Sequence, residues 1–181
     1  MTPSARTVVV GIGNEWRSDD GAGLAVAREL HARGCRDTSV LEQSGDPNEL
    51  LEALERADVA LIVDSASSSA EPGSVHRLDA WVDDLSERLP RTSSHALGLA
   101  DALELARTLG QLPETVIVYG IEGENFAVGT GLSLRVAAAV TTVVDDVRAE
   151  LARRARPVIE SPDTPIAKPS PDCEEPCTSR P

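Results

Sequence analysis

The feature that most limits the fold of this chain is a set of short, almost uninterrupted apolar runs separated by segments of helical period. Residues 7–11 (TVVVG), 59–63 (VALIV) and 115–119 (TVIVY) are apolar or β-branched at nearly every position rather than at alternate ones. Such a run reads as a strand covered on both faces, which is what a parallel sheet between two helix layers requires. Residues 39–42 (SVLE) and 75–78 (VHRL) read as two more strands. A helix is expected from about Asp20, where Ala22, Leu24, Ala25, Val26, Ala27 and Leu30 recur at helical spacing and Gly34 closes the segment. Asp46 followed by Pro47 reads as the cap and first position of a second helix running to Leu54. Leu97, Ala100, Leu103, Ala106 and Leu109 predict a third, residues 132–151 a fourth, and residues 81–89 fit either a short helix or a loop. Strands and helices alternate, so the expected class is α/β: three layers, with a mostly parallel, twisted sheet of about five strands and helices on both faces.

This pattern occupies residues 1–155 and fits one domain. Seven of the twelve prolines lie beyond Arg156, among Ser, Asp and Glu. Residues 156–181 therefore read as a Pro-rich tail, expected to be disordered because so little of it is apolar. Its Cys173 and Cys177 lack a nearby His partner and are not assigned a metal. With Cys35 they make an odd count, so no disulfide framework is expected.

Charge narrows the function. The formal net charge is −13 and the pI about 4.6, which disfavours nucleic acid and anionic membrane surfaces as partners. The N-terminus runs straight into the first strand without a signal-peptide pattern, and no apolar run is long enough to span a bilayer. A cytoplasmic, monomeric protein is expected.

The turn after the first strand, Gly11-Ile12-Gly13, suggests a dinucleotide fingerprint, but position 16, where the third glycine belongs, is Trp. Asp19 and Asp20 would also repel a phosphate at the start of the helix that follows. No Gly-Lys-Ser/Thr of a P-loop is present, no HExxH supports a resident zinc, and none of the serines sits in a nucleophile elbow.

If the chain runs from the first strand outward to the second and back past the first to the third, Asp20 and Asp64 flank the crevice where strand order reverses. Ligands of open α/β sheets bind there. His95 precedes the third helix. Two carboxylates and an imidazole suit a borderline divalent ion with open coordination positions. Each residue also has a plainer reading: Asp20 or Asp19 as a helix cap, Asp64 as a turn residue, His95 as a packing residue. His31 and His76 read as surface residues.

Three ordered segments resemble one family. Val8-Val9-Val10-Gly11-Ile12-Gly13-Asn14, with Asp19-Asp20-Gly21-x-Gly23 following, is similar to the opening motif of the hydrogenase-maturation endopeptidases. Leu61-Ile62-Val63-Asp64-Ser65-Ala66 and Ser94-His95-x-Leu97-Gly98-Leu99 are similar to its second and third motifs. The resemblance covers about residues 7–151. It implies a twisted sheet between helices and nickel ligation by Asp20, Asp64 and His95, which also form the catalytic set. It further implies that the C-terminal extension of a nickel-loaded hydrogenase large-subunit precursor is removed. The nickel would come with the substrate, with no resident cofactor. Gly45-Asp46 stands where members vary and is expected to bear on which large subunit is chosen. A non-hydrolytic, nickel-sensing or chaperone-like module on the same scaffold is the alternative.

Overall fold

The computed structural model describes residues 6–35, 37–68, 70–85 and 98–155. The tail 156–181, residues 86–89 of the ambiguous segment 81–89, and His95 lie outside the described residues.

Five strands form one sheet: β1 (Thr7–Ile12), β2 (Thr38–Gln43), β3 (Val59–Ala66), β4 (Val75–Asp79) and β5 (Thr115–Glu122). Their order is β2-β1-β3-β5-β4, and every pairing is parallel except that of β4 with β5. The described helices are α1 (Ala22–Arg33), α2 (Pro47–Glu55), α3 (Leu99–Thr108) and α4 (Leu134–Ala155). The α/β class and the helix-covered, mostly parallel sheet expected from the apolar runs are thus what the chain forms.

The two faces of the sheet bury two separate cores. Val9, Leu61, Val63, Ile117, Tyr119 and Ile121 pack with α1 and α4. Val8, Val10, Ile12, Ala60, Ile62, Val116 and Val118 pack with α2 and α3. Because β1, β3 and β5 are covered on both sides, their sequences are apolar at successive positions. The edge strand β2 alternates half-buried and exposed positions from Thr38 to Leu41 instead.

Several boundaries differ from the sequence reading. β3 and β5 each run further, to Ala66 and Glu122, because their ladder continues through Asp64↔Gly120, Ser65↔Ile121 and Ala66↔Glu122. Asp64 is therefore inside a strand and not at its end, and its N–H and C=O belong to a sheet rather than a turn. α1 begins at Ala22, after a separate 3-10 turn, Ser18–Gly21, that carries both aspartates. α2 starts as expected, with the Asp46 side chain accepting from Asn48 N (2.8 Å) and Pro47 in the first turn. Gly34 ends α1 at φ 71°.

The glycines of the first motif serve packing. A Cβ on Gly23, in the first turn of α1, would run into the carbonyl oxygens of Ile12 and Val63. A Cβ on Gly13 would run into that of Asp20. Their absence lets the turn and helix start rest directly on the backbones of β1 and β3. That contact brings the aspartate turn to the edge of the sheet.

Candidate active site

From β1 the chain goes to β2 on one side and then to β3 on the other, so strand order reverses between β1 and β3. The aspartate turn follows β1, and Asp64 lies in the last part of β3. The two predicted carboxylates therefore meet at the crevice beyond the carboxyl ends of the strands.

Their link is a residue the sequence reading did not assign. The Ser65 hydroxyl donates to Asp20 Oδ1 at 3.2 Å, and the Ser65 backbone N–H donates to Asp64 Oδ1 at 2.7 Å. Successive strand residues point to opposite faces, so Ser65 turns toward the α1 side while Asp64 stays on the α2 and α3 side. Asp20 is 5 % exposed and Asp64 8 %. Asp20 Oδ2 is buried with no hydrogen-bond partner among the described residues. Burial pushes the Asp64 carboxyl up to about 7; the Ser65 N–H opposes that rise and the Asp20 charge adds to it.

The capping reading of Asp20 falls away. No side chain caps either the 3-10 turn or α1, and the Asp20 carboxylate accepts from Ser65 instead. Asp19 has a different task. Its Oδ2 accepts from the N–H groups of Glu124 (2.9 Å) and Asn125 (2.8 Å), and its Oδ1 from that of Ser133 (2.7 Å). Its own N–H donates to Asn125 O. Burial opposes the charge, but these backbone donors outweigh it and hold the Asp19 carboxyl below its ordinary range. Asp19 thus fixes the loop that joins β5 to α4. Ser18 assists, adopting a left-handed conformation (φ 52°) with its N–H on Gly129 O and its hydroxyl on Ala127 O.

A further buried carboxylate, also missed from sequence, ends β5. Glu122 accepts from the Ser68 N–H and from the Ser68 hydroxyl (2.9 Å), and His76 Nε2 lies 3.5 Å from its Oε2. His76 is therefore not a free surface residue; His31 is exposed, as expected. A charged residue closing an otherwise apolar strand was the available signal for Glu122.

An unpartnered, buried carboxylate oxygen beside a second carboxyl group is a donor pair suited to a divalent cation. Among the described residues, no group of three or more His, Cys, Asp or Glu side chains forms a metal-holding cluster.

Compared with known proteins, residues 24–150 match the model of a family described as hydrogenase maturation protease. The chain belongs to that family. The match begins just after Asp20 and takes in Asp64 and position 95. The hydrogenase 2 maturation protease of Escherichia coli is 29 % identical over 150 residues, covering 81 % of this chain and 90 % of that protein. A hydrogenase expression/formation protein, HupD, from Bradyrhizobium diazoefficiens is 29 % identical over 122 residues, which cover 65 % of this chain but only 62 % of that relative. The solved hydrogenase maturating endopeptidase HybD from E. coli superposes with a TM-score of 0.72 at 26 % identity, over 83 % of this chain and 94 % of that one. The family's fold is therefore this αβα sheet, with the Asp20–Asp64 crevice at its reversal point. Among the described residues, no helix is long and apolar enough to cross a membrane.

Proposed function

We propose that this chain is the endopeptidase that removes the C-terminal extension from a nickel-loaded hydrogenase large-subunit precursor, working as a monomer in the cytoplasm. The observation that carries this reading is the Asp20–Ser65–Asp64 arrangement, with one buried carboxylate oxygen unpartnered, at the crevice of a maturation-protease fold. Asp20 and Asp64 grip nickel that arrives with the substrate, and no resident cofactor is required. Two carboxylates bind a borderline ion weakly, so affinity depends on softer donors from the substrate. The enzyme then responds to a loaded centre and not to an empty one.

His95 is the third donor of this reading. Position 95 is three residues ahead of Gly98, the residue that precedes α3. α3 packs on the same face of the sheet as Asp64. At the other end of α3, the Arg107 guanidinium donates to Ala80 O, beside the start of β5, so the first turn of α3 faces the crevice edge. Nickel held by the three side chains orients the scissile carbonyl for attack by water.

The test is incubation of the full chain with nickel-loaded precursor, read by mobility shift and by the mass of the released peptide. Cleavage by wild type, abolished in Asp64→Ala and in His95→Ala, is expected. Binding without cleavage would instead favour a non-hydrolytic nickel module, and an undiminished shift in either variant would remove that residue from the set.

A further inference from the structure

We infer that Trp16 and Val128 form a rigid apolar lip on which the hydrogenase large-subunit precursor docks, inserting an apolar side chain beside the catalytic crevice; this rests on the processing reading above. The chain has two tryptophans, and they are held differently. The Trp81 indole N–H donates to Pro113 O at 3.0 Å, and the Arg107 guanidinium lies 5.5 Å over its ring. Trp16 is 64 % exposed, and its hydrogen bonds among the described residues are all of its backbone: its N–H donates to Asn14 Oδ1 and its carbonyl accepts from Gly129 N. Its indole N–H has no partner among the described residues. Val128, next to Gly129, is 92 % exposed. Both side chains thus stand on adjacent, mutually bonded segments and face water.

These segments are not loose. Asp19 fixes residues 124, 125 and 133 of the loop, Ser18 fixes 127 and 129, and the Arg17 guanidinium donates to Phe126 O at 3.3 Å. An exposed indole on a pre-ordered frame loses little freedom when it is covered, which is the character of an interface anchor. Trp16 also walls a depression of about 330 Å³ that includes Gly13, Leu24, Gln43 and Ser44, leading toward the variable Gly45-Asp46 stretch. The lip is continuous with the site, since Trp16 is four residues from Asp20 and the loop is tied to Asp19. An enzyme whose substrate is a folded protein needs such a surface next to its crevice, and the turn that carries Asp20 into the site also carries Asp19, which orders the lip. The neighbouring carboxylates Glu15 and Glu42 are paired with Arg28, at 3.1 and 2.8 Å, which lowers the charge around the apolar patch.

The decisive experiment compares full-length wild type, Trp16→Ala and Val128→Asp on nickel-loaded precursor. Leu109→Ser serves as control, an exposed apolar residue after α3, whose end lies beside the start of β5 and so away from the carboxyl ends of the strands. Both lip variants should raise KM at least about tenfold with kcat within about twofold. Their thermal melts and the KM of the control should match wild type. If wild type binds without cutting, the same factor is read in Kd. A wild type that cuts while KM is unmoved in Trp16→Ala overturns the docking surface alone. A wild-type dimer that Trp16→Ala dissociates without moving KM also overturns it, in favour of a second copy as the occupant. A wild type that neither binds nor cuts the precursor overturns the processing reading, and the lip with it.

Discussion

Asp19 and Asp20 are consecutive residues of one turn, both buried, and their surroundings make them opposites. Asp19 faces the β5–α4 loop and receives three backbone N–H bonds, so its charge is fully answered. Asp20 faces the crevice, shares a single hydroxyl with β3, and leaves an oxygen unpartnered beside another carboxylate. A buried carboxylate with all its acceptors filled contributes to stability, and one left open costs stability and is available to a ligand. The loop side of the turn is therefore built for holding and the crevice side for binding, although one dipeptide supplies both.

The sharpest break in this contrast is removal of the Asp20 charge. Asp20→Asn should lower cleavage of nickel-loaded precursor by at least about 10³-fold while leaving the unfolding midpoint unchanged or higher. Chemical denaturation run beside the cleavage assay checks both halves. A variant that loses stability and activity together would show that Asp20 is structural after all. The mirror experiment is Asp19→Ala. It leaves the N–H groups of Glu124, Asn125 and Ser133 without their acceptor, and should cost about 3–4 kcal/mol, or roughly 10 °C in melting temperature. Activity should fall only as far as the β5–α4 loop loses its order.

Much of this architecture could be read from the chain, and the rest depended on remote pairing. β1, β3 and β5 announced themselves because burial on both faces leaves only apolar residues such as Val8, Ile62 and Val118. The meeting of Asp20 and Asp64 followed from strand order, a topological rule that needs no contact information. The last turns of β3 and β5 were not legible. Ser65 and Ala66 look like a loop start, and only their ladder with Ile121 and Glu122 makes them strand. The division of labour between Asp19 and Asp20 was hidden for the same reason. The donors to Asp19 come from more than a hundred residues away, so no local pattern distinguishes it from its neighbour. Gly13 and Gly23 were visible as a motif, but their physical task, clearing the carbonyls of Asp20, Ile12 and Val63, is a matter of packing.

The Asp64 carboxyl offers a pH test of the crevice side. Its folded value is raised to about 7 from an ordinary 3.8, so the stability associated with its proton is complete below the unfolded value and is lost as pH rises through the folded one. The protein without substrate should lose about 2–3 kcal/mol between about pH 5 and pH 8 through this group, and Asp64→Asn should remove that slope. Asp19 has the reverse sign: its lowered value gives stability at neutral pH that is lost on acidification. A wild-type denaturation series that is flat from about pH 5 to pH 8 would mean that Asp64 is ionised throughout.

The smallest expected effect concerns the residue that joins the two carboxylates. Ser65 donates a neutral hydroxyl to Asp20 and its backbone N–H to Asp64, so Ser65→Ala removes the first bond and keeps the second. A single hydroxyl-to-carboxylate bond at 3.2 Å, offset by water in the unfolded chain, contributes about 1 kcal/mol. Stability should fall by about that amount, read by chemical denaturation beside wild type. Cleavage should change by no more than about tenfold, because under the proposed reading Asp20 keeps both oxygens for the substrate's ion and loses only the donor that aims it. A larger loss of cleavage at unchanged stability would move Ser65 from positioning into the group that touches substrate, and the crevice would then be a triad of the described residues Asp20, Ser65 and Asp64.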